Sequence, residues 1–200
     1  MKIAIITDTH GIARPLLEQY QDKLVNIDIV FLLGDYYSAE IQLINSIFQV
    51  LLLGIHGNHD DINVFNNSNV INIHNTQVKL SNNITISGFQ GSSKYKPTQY
   101  YGYTQKEAQQ EIKDLPKSDI FISHDGPMGY CGDIRDNAHC GLKAITDYIK
   151  KNQPKLVFFG HHHKNMHFQI GNTDCYCVYE LGIFDIDNQL NVTSYETYYI

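Results

Sequence analysis

The chain has 200 residues, enough for one domain with a buried core, and we expect a single domain over residues 1–200. Hydrophobic residues make up 42% and charged residues 18%, which is typical of a globular protein. The net charge of −6 counts against a surface that coats nucleic acid. It leaves a phosphate substrate open, because bound divalent cations would reverse the local sign of the charge.

No apolar stretch reaches the length that spans a bilayer, so we expect no membrane partner. The apolar run at residues 3–6 is too short for the core of a signal peptide, and a candidate ligand, Asp8, follows it almost at once. We therefore expect a cytoplasmic protein. Its four cysteines are predicted to be buried, reduced thiols: Cys131, Cys140, Cys175 and Cys177.

Strand and helix patterns alternate in the first part of the chain. Strands are predicted at 2–7, 27–33 and 50–53, with helices at 15–23 and 39–48 between them. This β-α-β-α-β order predicts parallel strands with helices on the faces of the sheet. Three short strands separated by polar turns follow at 70–73, 77–80 and 84–88, and these predict antiparallel hairpins.

The second half continues the mixture of strands and helices. Residues 91–103 form a predicted loop, and a helix follows at 104–115, with Thr104 and Glu107 placed for a capping box. The later predictions are a strand at 120–123, a loop at 125–137, a helix at 138–151, and strands at 155–159, 167–170, 175–180, 183–186 and 190–195. Since one sheet would be very wide, two packed sheets with helices outside are predicted.

Side chains that bind metals occur in five blocks, and each block comes shortly after a predicted strand. The blocks are Asp8-Thr9-His10, Gly34-Asp35, Gly57-Asn58-His59-Asp60, His124, and Gly160-His161-His162-His163. An α/β fold binds its ligands at the carboxyl ends of its strands, where side chains are held rigidly. The pattern therefore predicts a two-metal site at one rim of the sheets.

The residue types in these blocks suit a dinuclear centre. A carboxylate has two oxygens and can bridge two cations, and Asp35 is the natural bridge. A spacing of two residues lets Asp8 and His10 converge on one ion, and the same spacing separates His161 from His163. The asparagine of the third block adds a neutral amide oxygen. Such a mixed oxygen and nitrogen set favours Mn, Fe, Zn, Co or Ni over Ca.

The order of the blocks, D-x-H, G-D, G-N-H-D, H and G-H-x-H, resembles that of the calcineurin-like metallophosphoesterase superfamily. The resemblance covers residues 8–163, and every ligand position is filled. It implies a single-domain αββα sandwich in which helices flank two mixed sheets. The Asp-Arg-Gly run of the protein-phosphatase branch is missing after Asp35, so the chain is more similar to the small prokaryotic phosphodiesterases.

The resemblance also implies a role for each residue. The first divalent cation would be held by Asp8, His10 and His163. The second would be held by Asn58, His124 and His161, and Asp35 would bridge the two. Manganese is the first expectation for both ions, with iron, zinc, nickel, cobalt or magnesium as alternatives. A hydroxide held between the ions would attack phosphorus. His59 would protonate the leaving group or hydrogen-bond the substrate oxygens.

The expected substrate is a small phosphodiester or phosphomonoester, with a nucleotide among the candidates. Diesters are preferred because no pair of arginines is present to clamp a monoester. Three loop residues are candidate substrate contacts: Lys94, Tyr95 and Arg135. For each of them, a solvent-facing loop residue without a role in binding is an equal alternative. Two alternatives stay open: a non-catalytic, partner-binding scaffold on the same fold, and a nuclease, which the acidic charge disfavours. A homo-oligomer is also open.

Overall fold

The computed structural model describes residues 1–200. In the first half the elements are β1 (Lys2–Thr7), α1 (Ala13–Gln19), a 3-10 turn (Gln21–Lys23), β2 (Ile29–Leu32), α2 (Ser38–Ile47), β3 (Leu51–Gly54), β4 (Val70–Asn72), β5 (Gln77–Lys79) and β6 (Thr85–Phe89). In the second half they are β7 (Ser92–Ser93), β8 (Gly102–Tyr103), α3 (Gln105–Ile112), β9 (Ile120–Ser123), α4 (Lys143–Asn152), β10 (Leu156–Phe159), β11 (Met166–Ile170), β12 (Thr173–Cys177), β13 (Glu180–Ile186) and β14 (Val192–Tyr198).

Two six-stranded mixed sheets form the body of the fold. The first has the order β14-β13-β1-β2-β3-β4, in which β1 to β4 are parallel and β13 is antiparallel to β1. The second has the order β11-β12-β10-β9-β6-β5, with a parallel centre and antiparallel edge strands. Strands β7 and β8 form a separate parallel ribbon. The predicted α/β architecture of two mixed sheets flanked by helices is confirmed.

Three apolar layers explain why the central strands read as continuous hydrophobic runs. In β1, Ile3 and Ile5 face the layer between the sheets, while Ala4 and Ile6 face the layer beneath α1 and α2. A third layer lies between the second sheet and helices α3 and α4. Since both faces of each central strand are covered, alternation between polar and apolar residues is lost there.

The middle strands form one of the predicted antiparallel hairpins, that of β5 and β6, but not the other. Strand β4 pairs in parallel with β3 in the first sheet, whereas β5 pairs antiparallel with β6 in the second sheet. Residues 73–76 therefore carry the chain from one sheet to the other. Ile73 is fully buried in the layer between the sheets, and Asn75 turns the chain with a φ of +53°. The sequence pattern of two short strands joined by a polar turn is the same whether the strands pair with each other or lie in different sheets.

Two other boundaries move. Helix α4 begins at Lys143 rather than at residue 138, because residues 125–142 fold as one long connection that includes Gly141 at a φ of +80°. The predicted loop at 91–103 contains the ribbon of β7 and β8. The capping box at Thr104 and Glu107 is present, with hydrogen bonds of 2.8 and 3.2 Å.

The four cysteines are buried and free. Cys175 and Cys177 both pack into the layer beneath α3 and α4, as their spacing along a strand predicts. None of the helices has the length and apolar character needed to cross a membrane.

Phe158 gives a direct test of the layer between the sheets. Its fully buried ring lies 5.0 Å from that of Phe184 and 5.6 Å from that of Tyr176. We expect Phe158→Ala to lower the free energy of unfolding by about 3–5 kcal/mol, because the cavity cannot close between two sheets. Denaturant unfolding measures this. Ile134→Ala, at an exposed residue, is the control, and equal losses for both variants would contradict the layer's role.

Candidate metal centre

The candidate ligands lie at the carboxyl ends of parallel strands from both sheets. In the first sheet, Asp8 and His10 follow β1, Asp35 follows β2, and Asn58 follows β3. In the second sheet, His124 follows β9, and His161 and His163 follow β10. Because the two sheets pack face to face, these strand ends meet along one rim of the sandwich.

The backbone at this rim is unusual. Five of the seven candidate ligands have positive φ, with values between +43° and +65°: Asp8, His10, Asp35, His161 and His163. This left-handed conformation is uncommon for residues other than glycine and clusters at functional sites. It turns the chain sharply at the strand ends, so that side chains two residues apart point towards the same place.

The glycines that open two of the blocks are required by close approach. A Cβ on Gly34 would lie 2.3 Å from the backbone nitrogen of Gly57. A Cβ on Gly160 would lie 2.5 Å from Oδ2 of Asp8. At Gly34 the chain packs against the backbone of the neighbouring loop, and at Gly160 it packs against the side chain of Asp8. Neither position has room for a Cβ atom.

Six of the seven candidate ligands fall into two groups whose potential ligand atoms lie within 4.8 Å of one another. One group consists of Asp8, Asp35, His124 and His161, all buried; the other consists of Asp8, His10 and His163. Asp35 reaches towards both, since its Oδ1 is 3.6 Å from Nε2 of His124 and its Oδ2 is 3.6 Å from Nε2 of His10. The site thus has two adjoining centres with carboxylates between them.

Asn58 joins the buried group through His124. The Nδ1 of His124 donates a hydrogen bond of 2.7 Å to the carbonyl oxygen of Leu33, which leaves Nε2 of the neutral ring without a hydrogen. This Nε2 lies 2.9 Å from Oδ1 of Asn58, which also carries no hydrogen. Two acceptors facing each other at this distance fit a shared cation.

Two further atoms in the buried group have free lone pairs. His161 donates from Nε2 to the carbonyl oxygen of Ala138 at 2.7 Å, so its Nδ1 is the bare nitrogen. Asp8 accepts hydrogen bonds at Oδ2 from Thr7 and from the backbone of His161, while its Oδ1 is buried without a partner. A buried acceptor without a donor is costly, and a cation would satisfy it. The residues present therefore fit divalent metal ions.

Burial dominates the ionisation of the centre. It raises the pKa of Asp8 to about 7 and that of Asp35 well above its ordinary value, the latter also through repulsion from Asp8 and Asp60. Burial lowers the pKa of His161 to about 4 and that of His124 well below its ordinary value. The imidazoles are thus neutral and ready to bind, whereas the carboxyl groups hold protons that a cation must displace.

The opposite side of the site is open to solvent. His10, His59 and His163 are exposed, and the ring centroid of His10 lies 5.5 Å from that of His59 and 5.6 Å from that of His163. His59 is fixed at its backbone, where its N–H donates to Oδ1 of Asp35 at 2.8 Å. These three exposed histidines, the histidine rim, form the side of the site that faces solvent.

The residues predicted to touch substrate are placed differently from one another. Tyr95 reaches the site, with its hydroxyl 3.3 Å from Nε2 of His59. Lys94 is exposed and faces Glu107 at the start of α3, whose pKa is lowered mainly by hydrogen bonds from Thr104 and to a smaller extent by the charge of Lys94. Arg135 is exposed and bound to Asp133 through contacts of 2.7–3.2 Å.

Three acidic residues that the sequence did not single out organise the loops. Asp60 accepts from the backbone N–H groups of Tyr36 and Gly57 at 2.6 and 2.7 Å, and burial raises its pKa to about 7. Glu40 accepts from the backbone of Ala13 and Tyr37 at 2.8 Å each.

The third, Asp125, follows the candidate ligand His124. It accepts from the backbone of Ser93 at 2.9 Å and lies 3.1 Å from Nε2 of His162, which points away from the candidate metal positions. Only position in the motif hinted at these roles, since Asp60 closes the G-N-H-D block and Asp125 follows a ligand block.

A sandwich of two mixed sheets, with buried aspartates and histidines at the carboxyl ends of its strands, defines a class of metal-dependent phosphoesterases. The model of the calcineurin-like phosphoesterase superfamily domain matches residues 1–180. The chain therefore belongs to the calcineurin-like phosphoesterase superfamily, as its motifs predict.

Individual proteins resemble the chain in sequence or in fold. An uncharacterized protein from Methanocaldococcus jannaschii is 30% identical over 190 residues, covering 86% of this chain and 85% of its own length. A dimetal phosphatase from Danio rerio has a TM-score of 0.61 at 11% identity, with 92% of each chain covered. A novel archaeal phosphodiesterase has a TM-score of 0.57 at 16% identity, with 96% of this chain and 97% of its own covered. At these identities the two structures share the fold alone.

The raised pKa of the buried carboxyl groups predicts that metal binding releases protons. At pH 6 Asp8 is mostly protonated in the metal-free protein, whereas at pH 8 it is mostly ionised. We expect the apparent affinity for Mn²⁺ to rise with pH across this window, by up to about tenfold per pH unit for each proton displaced. Titration calorimetry in buffers of different ionisation enthalpy measures both quantities. An affinity that stays constant from pH 6 to pH 8 would contradict the expectation.

Proposed function

We propose that this protein is a metal-dependent phosphoesterase that hydrolyses a small phosphodiester or phosphomonoester. Membership of the superfamily supports phosphoester hydrolysis. The observation that carries the proposal for this chain is the pair of adjoining donor groups, which share Asp8 and are both approached by Asp35. A protein that uses one cation for structural purposes has no need for a second centre beside an open rim.

We assign seven side chains to two divalent cations. The ion at the exposed rim would be held by Asp8, His10 and His163. The buried ion would be held by Asn58, His124 and His161, and Asp35 would bridge the two. Manganese is the proposed metal for both positions, because the set mixes carboxylate and amide oxygens with imidazole nitrogens. Cytoplasmic residence is proposed too, since the four free thiols suit a reducing compartment.

Bound cations lower the pKa of water and neutralise charge that develops on a phosphoryl group. The chain's own residues supply orientation and a proton. Asp35 stays in place because the backbone N–H of His59 donates to its Oδ1. His59 stands on the open rim, where its imidazole can donate a proton to the departing oxygen of the substrate. The histidine rim is the side from which a phosphoryl group would approach the cations.

A diester remains the preferred substrate. The only arginine in the loop after His124 is exposed and bound to Asp133, so no arginine clamp for the extra charge of a monoester reaches the site. The experiment is a hydrolysis panel with added Mn²⁺, comparing a generic diester, a generic monoester, cyclic nucleotides and single-stranded nucleic acid. If two cations bind but no metal supports turnover, the proposal that the protein is an enzyme is overturned and the alternative of a non-catalytic scaffold is favoured. Preferential cleavage of nucleic acid would favour the nuclease.

The bridging assignment predicts the effect of Asp35→Asn. The amide keeps the shape of the side chain and one oxygen, but it removes the charge that two cations would share. We expect hydrolysis to fall by at least about a hundredfold, and the number of bound metals to fall from two towards one or none. Metal analysis after gel filtration, alongside the hydrolysis assay, measures this. Two bound metals with full activity would show that Asp35 does not bridge.

The assignment of His59 as the proton donor predicts a different pattern for His59→Ala. Because His59 is not an assigned ligand, two metals should still bind, while hydrolysis slows by about 10²–10⁴-fold. The control is His167→Ala, which removes an exposed histidine on the edge strand β11 that pairs with Asp174 and is not an assigned ligand. Loss of metal in the His59 variant would overturn its role as a residue that acts without binding metal.

A further inference from the structure

We propose that Tyr95 is a positioning residue that holds the imidazole of His59 in the orientation needed to protonate the leaving group. This rests on the proposed function and deepens it. The tyrosine lies on the loop between β7 and β8, outside the five motif blocks. Its hydroxyl contacts a proposed metal ligand and the proposed proton donor at once: Nδ2 of Asn58 and Nε2 of His59, each at 3.3 Å.

The chemistry of these contacts suits a side chain that donates a proton. The amide N–H of Asn58 donates to the hydroxyl oxygen of Tyr95, and this oxygen has a second lone pair available. A ring that donates a proton to the leaving group begins with a hydrogen on both nitrogens, and in that state Nε2–H of His59 donates to the second lone pair. Nδ1 is then the nitrogen left for the substrate, and the hydroxyl of Tyr95 sets the direction of the ring.

The loop that carries Tyr95 is braced from several sides. The backbone N–H of Tyr95 donates to Oε1 of Gln99, and Nε2 of Gln99 in turn donates to Oγ of Ser92 at 2.9 Å. The ammonium group of Lys96 lies 4.9 Å from the centre of the Tyr95 ring. A hydroxyl held by so many contacts can orient a neighbouring side chain, because little freedom is left for it to lose.

A hydrogen bond also ties this loop to the candidate metal centre. Asp125 accepts from the backbone N–H of Ser93 at 2.9 Å, and Oγ of Ser93 donates to the carbonyl oxygen of Gly141. Asp125 directly follows His124, one of the proposed ligands. Displacement of the loop would therefore disturb a neighbour of the centre, and the position of Tyr95 relative to His59 is set by the fold rather than by a flexible tip.

A pocket of about 280 Å³ lies beside these residues and is lined by Asn58, His59, Tyr95, Lys96 and their neighbours. It offers space for the alcohol part of a substrate whose phosphoryl group faces the cations. As the oxygen of water bonds to phosphorus, the P–O bond to the alcohol breaks, and the proton on Nδ1 of His59 moves to the departing oxygen. The ring ends neutral, with its remaining hydrogen on Nε2 bound to Tyr95, and regains a proton from water.

The test compares two leaving groups at saturating Mn²⁺. An alkoxide needs protonation as it departs, whereas p-nitrophenolate departs without help. For Tyr95→Phe, which keeps the ring, we expect kcat to fall by about tenfold with an alkyl ester and by less than about twofold with a p-nitrophenyl ester, at little-changed KM. A merely structural role would lower both rates alike. Equal losses on the two substrates, or no loss on either, would overturn the proposal.

A double-mutant cycle shows whether Tyr95 acts through His59. In a His59→Ala background, the further change Tyr95→Phe should alter the rate with the alkyl ester by less than about twofold. A full tenfold loss there would mean that the hydroxyl acts directly on the substrate or on the metals. Tyr130→Phe, at a tyrosine stacked on Phe168, is the matched control and should keep wild-type rates. If the wild-type protein hydrolyses neither ester, the proposed function itself fails.

Discussion

Two hydrogen bonds that cross between the sheets hold the two halves of the site together. Oδ2 of Asp8, after the first strand of one sheet, accepts from the backbone N–H of His161, which lies 153 residues later in the other sheet. Nδ1 of His124, also in the second sheet, donates to the carbonyl oxygen of Leu33 in the first sheet. These bonds set the separation of the strand ends, and the second one also leaves Nε2 of His124 as the nitrogen without a hydrogen. Each depends on glycine next to it, because a side chain at Gly34 or Gly160 would push the loops apart.

The same geometry makes the centre electrostatically incomplete within the protein. Burial raises the pKa of the Asp8 carboxyl group to about 7 and keeps the imidazole of His124 neutral, while Oδ1 of Asp8 has no hydrogen-bond donor. A cation would give these buried lone pairs the partner that the protein does not supply. The fold thus creates a site that favours cations at one rim of the protein, and the net charge of −6 favours cations as well.

Much of this could be predicted because the signals are local. Each ligand block follows an apolar run, and the runs became the central strands of the two sheets, so both architecture and clustering were expected. The antiparallel pairing of β5 with β6 was also expected. The parallel pairing of β4 with β3 was not, because it depends on Ile73, which packs between the sheets where the chain passes from one sheet to the other. Lys94 and Lys96 are equally basic in sequence, and the turn of the loop decides that Lys96 lies over the Tyr95 ring. The loop-organising role of Asp60 likewise depends on contacts that form only after folding.

Five proposed ligands hold left-handed backbone, which costs an ordinary residue roughly 1–2 kcal/mol and costs glycine almost nothing. Replacement by glycine at Asp8 or His161 would therefore relieve backbone strain while abolishing a donor atom. At Asp8 this relief would be offset by the loss of the hydrogen bonds that its carboxylate accepts from Thr7 and from the backbone of His161. The left-handed turns are thus maintained by the contacts of their side chains, whereas in the apolar layers each residue stabilises the fold through its own packing.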